Sequence, residues 1–109
     1  MQIQQGDVVI ESVEKIPADA EKQHSKGHAV FAEGEGHHLH RVATVGAVTT
    51  YLKDGIRYAR VHQETLLEHV TPDGRPGEHN PITLPPGDYT FGQVFEYDYV
   101  GEMAREVVD

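Results

Sequence analysis

The chain has no cysteine, no tryptophan, and only nine basic residues against eighteen acidic ones. Each shortage excludes something. Without cysteine there is no disulfide framework, no thiol nucleophile and no thiolate metal site, so any bound metal must be held by nitrogen and oxygen. A formal charge of −9 with histidine neutral argues against a basic face for phosphates unless charge is strongly segregated, so a nucleic-acid partner, which would have to draw on Arg41, Arg57 and Arg60, is the least expected. No apolar stretch approaches the roughly 20 residues that cross a bilayer, so no membrane partner is expected. The stretch Met1 to Glu11 lacks the basic start and apolar core of a secretory leader, and a soluble, cytoplasmic protein is expected.

What is present is lean. The 109 residues are 38% apolar, above the disordered regime, and the length suits a single domain over residues 1–109. Small domains with thin cores gain stability by association, so a homo-oligomer is expected.

Charge is unevenly placed. From Gly6 to Gly36 seven acids face three lysines, and from Gly87 to Asp109 six acids face Arg105 alone. The middle, His37 to Pro86, balances five acids with five bases and holds six of the eight histidines and five of the six prolines. Chemistry is to be sought in that centre.

The backbone reads as all-β, a small barrel or sandwich of about eight short strands. Runs rich in Val, Ile, Thr, Tyr and Phe place them at Asp7–Val13, His28–Glu33, His38–Val45, Val48–Leu52, Ile56–His62, Thr65–Val70, His79–Leu84 and Asp88–Tyr99. Lys53-Asp54-Gly55 signals a tight hairpin, because Asp-Gly tolerates the positive φ that such turns require. Pro17 to Lys26 is polar and reads as a surface loop. Thr71 to Gly77, with two prolines and two glycines, reads as irregular. Along the last strand Tyr89, Phe91, Gln93, Phe95, Tyr97 and Tyr99 share one face by the period-two rule. That face reads as core or subunit interface, with Gln93 needing hydrogen-bond partners if buried.

The densest polar cluster is Gly36-His37-His38-Leu39-His40-Arg41. In an extended strand His38 and His40 project to one face about 7 Å apart, near enough for both imidazoles to bend toward one ion. A hairpin around the Thr71–Glu78 loop brings His69 and His79 together. The four imidazoles of His38, His40, His69 and His79, or three with Glu78 or Glu64, then make a nitrogen and oxygen site of the kind used for zinc, iron, nickel or manganese. His24, His28 and His62 read as solvated residues at loops or strand ends, and His37 points away from the cluster. Protonation offers a second use for the same residues: eight added protons move the formal charge from −9 to −1.

The His-x-His on a strand, a later histidine and a Pro-Gly turn in an all-β chain resemble part of the cupin pattern. That resemblance implies two histidines, a carboxylate and a third histidine around a metal inside a small barrel. Here Arg41 to Gly46 carries no acid, and Pro86-Gly87 follows His79. Over most of its length the chain also resembles a small uncharacterised family of bacterial and phage genomes. That likeness is carried by Gln5-Gly6-Asp7-Val8, Ala32-Glu33-Gly34-Glu35, His38-Leu39-His40-Arg41, Glu78-His79-Asn80-Pro81-Ile82, Leu84-Pro85-Pro86-Gly87-Asp88-Tyr89, Gln93 and Glu96-Tyr97-Asp98-Tyr99. It implies weight on the four histidines and names no activity or substrate.

Two functions compete. One is a metal-binding protein, or metalloenzyme, centred on His38, His40 and His79 with His69 or Glu78 completing the shell, and with Arg41 either orienting an anion or forming an ion pair. The other is a structural module, a symmetric homo-oligomer or virion-associated component, that uses the aromatic C-terminal strand as its interface. No Ser-His-Asp or paired-carboxylate arrangement points to catalysis without metal.

Overall fold

The computed structural model describes residues 2–24, 27–33, 38–71, 73–77 and 79–93. Ten strands form in chain order: β1 Gln2–Gln5, β2 Val8–Val13, β3 Glu21–Gln23, β4 Val30–Glu33, β5 Leu39–Val42, β6 Val48–Lys53, β7 Ile56–Val61, β8 Thr65–Val70, β9 Ile82–Leu84 and β10 Gly87–Gln93. They make two antiparallel sheets, one of six strands ordered β1-β2-β10-β7-β6-β3 and one of four ordered β4-β5-β8-β9. The sheets do not close into a barrel, so the expected all-β class takes its sandwich form. No helix among the described residues is long and apolar enough to cross a membrane.

The core is the alternate residues of both inner faces. Val8 and Ile10 of β2, Ala59 and Val61 of β7, and Tyr89 and Phe91 of β10 meet Phe31 of β4, Val42 of β5, Leu67 of β8 and Leu84 of β9. Across the gap Phe31 stacks on Phe91 with ring centroids 4.3 Å apart. A register shift between Val30 and Ala32 turns both Phe31 and Ala32 inward, the effect of a bulge in a short edge strand. Tyr89 is buried, and its hydroxyl donates to the Pro85 carbonyl at 2.7 Å.

The Lys53–Ile56 hairpin forms as the Asp-Gly signal requires, with φ of 52° at Asp54 and 79° at Gly55. Two strands depart from the sequence expectation. β3 lies inside the segment read as a polar loop, an exposed strand whose only pairing is to Thr50–Leu52 of β6. β1, with Ile3 as its one apolar residue, pairs with β2 around a two-residue turn, Gly6-Asp7, with Gly6 at φ 58°. The aromatic strand is seen as far as Gln93, and its expected continuation through Phe95, Tyr97 and Tyr99 lies outside the described residues. Tyr89 and Phe91 belong to the core, so the described half of the aromatic face is interior.

Candidate functional site

His40 lies in β5 directly opposite His69 in β8. The irregular loop after β8 folds back on itself: Thr71 N–H donates to the Arg75 carbonyl at 2.8 Å, Val70 bridges to Pro76, and Gly77 N–H donates to the His69 carbonyl at 2.6 Å. That return carries His79 to His69. The resulting ring centroids are 5.2 Å apart for His38 and His69, 4.6 Å for His40 and His69, 4.8 Å for His69 and His79, and 6.3 Å for His40 and His79. The four histidines singled out in the sequence therefore lie in one cluster at one end of the four-stranded sheet.

The partners come from the opposite sheet. His40 is 2% exposed, and its Nδ1 sits 2.8 Å from Gln5 Oε1. Gln5, equally buried, uses its amide nitrogen to donate to the Leu67 carbonyl at 2.9 Å and the Asn80 carbonyl at 2.8 Å. Those two bonds fix the amide orientation, so Oε1 can only accept and His40 Nδ1 must carry the proton. The neutral ring then has its lone pair on Nε2, which faces Asp7 Oδ1 at 3.6 Å. Asp7 is oriented in turn by Gln93, whose amide donates to Oδ2 at 2.8 Å. The partner that Gln93 needs among the aromatics is this carboxylate.

Electrostatics keep His40 unprotonated. Burial, then the neighbouring His69 ring, pushes its pKa down to about 4, with Asp7 opposing and His79 adding to the fall. His69 is held differently: its Nδ1 accepts the His79 backbone N–H at 3.2 Å, which places the proton of the neutral ring on Nε2. Two glycines make room. A Cβ on Gly6 would stand 2.7 Å from His79 Nε2, and one on Gly77 would collide with His69 Nδ1.

As they stand, no three His, Asp or Glu side chains among the described residues are arranged to hold a metal ion. Two of the ring pairs are stacked, His38 with His69 at 20° and His40 with His79 at 25° from parallel, and the other two are tilted. The remaining sequence candidates are placed elsewhere. Glu64 is exposed, while Glu78 and His37 fall outside the described residues. Arg41 pairs with Glu68 at 3.4 Å, the ion-pair role of the two expected. His24 is exposed, His62 meets Thr49 Oγ1 at 2.7 Å, and half-buried His28 donates from Nδ1 to the Val42 carbonyl at 2.8 Å. Sequence reasoning missed Gln5 and Asp7, which no metal or catalytic spacing marks and which reach the cluster only through the sandwich.

No curated protein and no solved structure matches the chain. A family model does match, over residues 4–93, and those residues include Gln5, Asp7, Gln93 and all four clustered histidines. The chain belongs to that family, described as a domain of unknown function, DUF8820.

Proposed function

We propose that this protein binds a divalent transition metal, zinc, iron, nickel or manganese, at the imidazole cluster, with His40 Nε2 and Asp7 Oδ1 as the first two donors. The observation that carries this reading is their face-to-face approach. A lone pair and a carboxylate oxygen 3.6 Å apart repel each other unless a proton, a water donating to both or a metal cation lies between them, and burial disfavours the proton. Two donors about 2.1 Å from one ion at a near-tetrahedral angle stand about 3.4 Å apart, so the spacing suits the metal. Imidazoles sharing such an ion have centroids about 5 Å apart, within the 4.6 to 6.3 Å spread of the cluster.

His79, exposed at the rim of the cluster, could complete the shell by rotating about its side-chain bonds, and His38 would have to leave its stack on His69 to do so. His69 serves through Nδ1 only after releasing the His79 amide. The Nδ1–H of His40 bonded to Gln5 is the outer contact that a metal-ligating histidine commonly makes, since it fixes ring orientation and tautomer. An overall −9 charge adds a general attraction for cations.

The test is metal analysis and calorimetric titration with Zn²⁺ and Ni²⁺ of protein purified without a histidine tag. One ion per chain is expected, with affinity lost at least tenfold in Asp7→Asn and in His79→Ala. Substoichiometric metal that neither substitution changes overturns the reading.

The assembly reading has less support. Tyr89 and Phe91 are spent on the core, so a homo-oligomeric or virion-associated role would have to draw on Phe95, Tyr97 and Tyr99, which lie outside the described residues, or on other surfaces. Light scattering at micromolar concentration decides it, because a persistent monomer excludes an obligate assembly.

A further inference from the structure

Among the described residues, six strands packed over four leave part of the larger sheet's inner face uncovered. At the β6-β3 edge this overhang is a cleft of about 390 Å³ between Gln23, Thr50 and Leu52 on one side and His28 and Val30 on the other, with Arg57 and Phe91 also on its walls. Arg57 is unusual in position. It shares the inward face of β7 with buried Ala59 and Val61 and lies opposite Phe91 in the sheet register.

Three of the four described arginines have carboxylate partners: Arg41 has Glu68, Arg60 has Asp88 and Arg75 has Asp73. Arg57 has none among the described residues. Its guanidinium lies 4.5 Å above the centre of the Phe91 ring, a contact that steadies the planar head while leaving its N–H fork unspent.

We propose that this cleft binds a small organic carboxylate with a flat apolar body, its carboxylate held by Arg57 and its body against Val30, Leu52 and the Phe91 wall. A partly desolvated guanidinium is the side chain best matched to a carboxylate, because its parallel N–H groups engage both oxygens at once. The volume suits a ligand of one ring, near the low end of small-molecule sites. His28 sets a further preference. Its Nδ1–H is given to the Val42 carbonyl, so in the neutral ring Nε2 can only accept, and a ligand bearing a hydroxyl donor is favoured. In a chain of −9 charge there is no general attraction for anions, so binding here would rest on the Arg57 fork and the cleft walls. The inference does not depend on the imidazole cluster.

The experiment is ¹H–¹⁵N correlation spectroscopy of the full chain titrated with benzoate, 4-hydroxybenzoate, benzyl alcohol and inorganic phosphate. Saturable shifts are expected at the amides of His28 to Val30 and Thr50 to Leu52 with both carboxylates. 4-Hydroxybenzoate should bind at least threefold tighter than benzoate, and benzyl alcohol should cause no saturable shift. Arg57→Gln should weaken 4-hydroxybenzoate at least tenfold and Arg57→Lys less, while Arg75→Gln leaves it unchanged and Val30→Glu, on the cleft wall, weakens it. Shifts that never saturate, phosphate binding as tight as benzoate, or unaltered affinity in a folded Arg57→Gln or Val30→Glu variant overturn the proposal. Zinc titration of Arg57→Gln separates the two sites, since metal binding at the cluster should not change.

Discussion

Gln5 and His40, on opposite sheets and 35 residues apart, share a buried hydrogen bond of 2.8 Å in which the imidazole donates and the amide oxygen accepts. The bond sets the tautomer of His40 and ties the β1-β2 hairpin to the four-stranded sheet. Replacing Gln5 with Leu removes that acceptor and both donations to the Leu67 and Asn80 carbonyls. Leaving such buried groups unpaired should cost about 2–4 kcal/mol. Urea unfolding measures it, and a loss below about 1 kcal/mol contradicts the network.

His40 also sets a pH dependence. Its folded pKa is about 4 against an ordinary 6.5. The unfolded chain therefore takes up this proton as the pH falls through 6.5, while the folded chain resists until about 4. Stability from this group is complete above pH 6.5, falls between 6.5 and 4, and changes no further below that; the total is on the order of 3 kcal/mol. Urea midpoints at pH 7 and pH 5, with chelator present, should fall for the parent and fall less for His40→Asn. Equal slopes for the two proteins exclude the assignment.

Gly6 and Gly46 both have positive φ, 58° and 85°, but a Cβ meets the His79 ring only at Gly6; at Gly46 it meets open space. Alanine at either site pays the backbone strain, about 1 kcal/mol. Gly6→Ala should lose more and should also weaken metal binding. Equal melting temperatures for the two variants remove His79 from contact with the turn.

The Phe31–Phe91 stack joins the sheets at the core. Phe31→Ala should destabilise by about 3–5 kcal/mol, the usual loss for a buried phenylalanine. Because Phe91 also floors the cleft, Phe91→Leu should lower stability less and still reduce carboxylate binding, which separates packing from recognition in one pair of variants.

Much of the fold was legible where side chains alternate. Thr65–Val70 and the Asp54-Gly55 hairpin follow directly from pattern and turn chemistry. β1 and β3 were not, because outer strands such as Gln2–Gln5 and Glu21–Gln23 bury little and carry almost no apolar periodicity. A strand pairs His38 with His40 and a hairpin pairs His69 with His79, local geometry that a sequence expresses. The meeting of the two pairs depends on β5 lying beside β8, which a sequence does not express. The roles of Gln5, Asp7 and Gln93 depend on how one sheet lies over the other. That relationship is set by the whole core and leaves no mark in the spacing of the residues themselves.

The two-residue turn at Gly6-Asp7 closes over the cluster from the opposite sheet. Among the described residues β1 is an outermost strand paired with β2 alone, with Ile3 its one partly buried apolar side chain, so beyond that ladder the Gln5 bonds to His40, Leu67 and Asn80 are what tie it to the four-stranded sheet. Peeling β1 and its turn away would have to break those bonds, at about 2–4 kcal/mol for the groups left unpaired, and would lift Gln5 and Asp7 off His40 short of global unfolding. If the cluster takes a metal as proposed, entry and escape at His40 would be timed by the fraying of one edge strand, and a bound ion, by gripping Asp7, would slow the very motion that admits it.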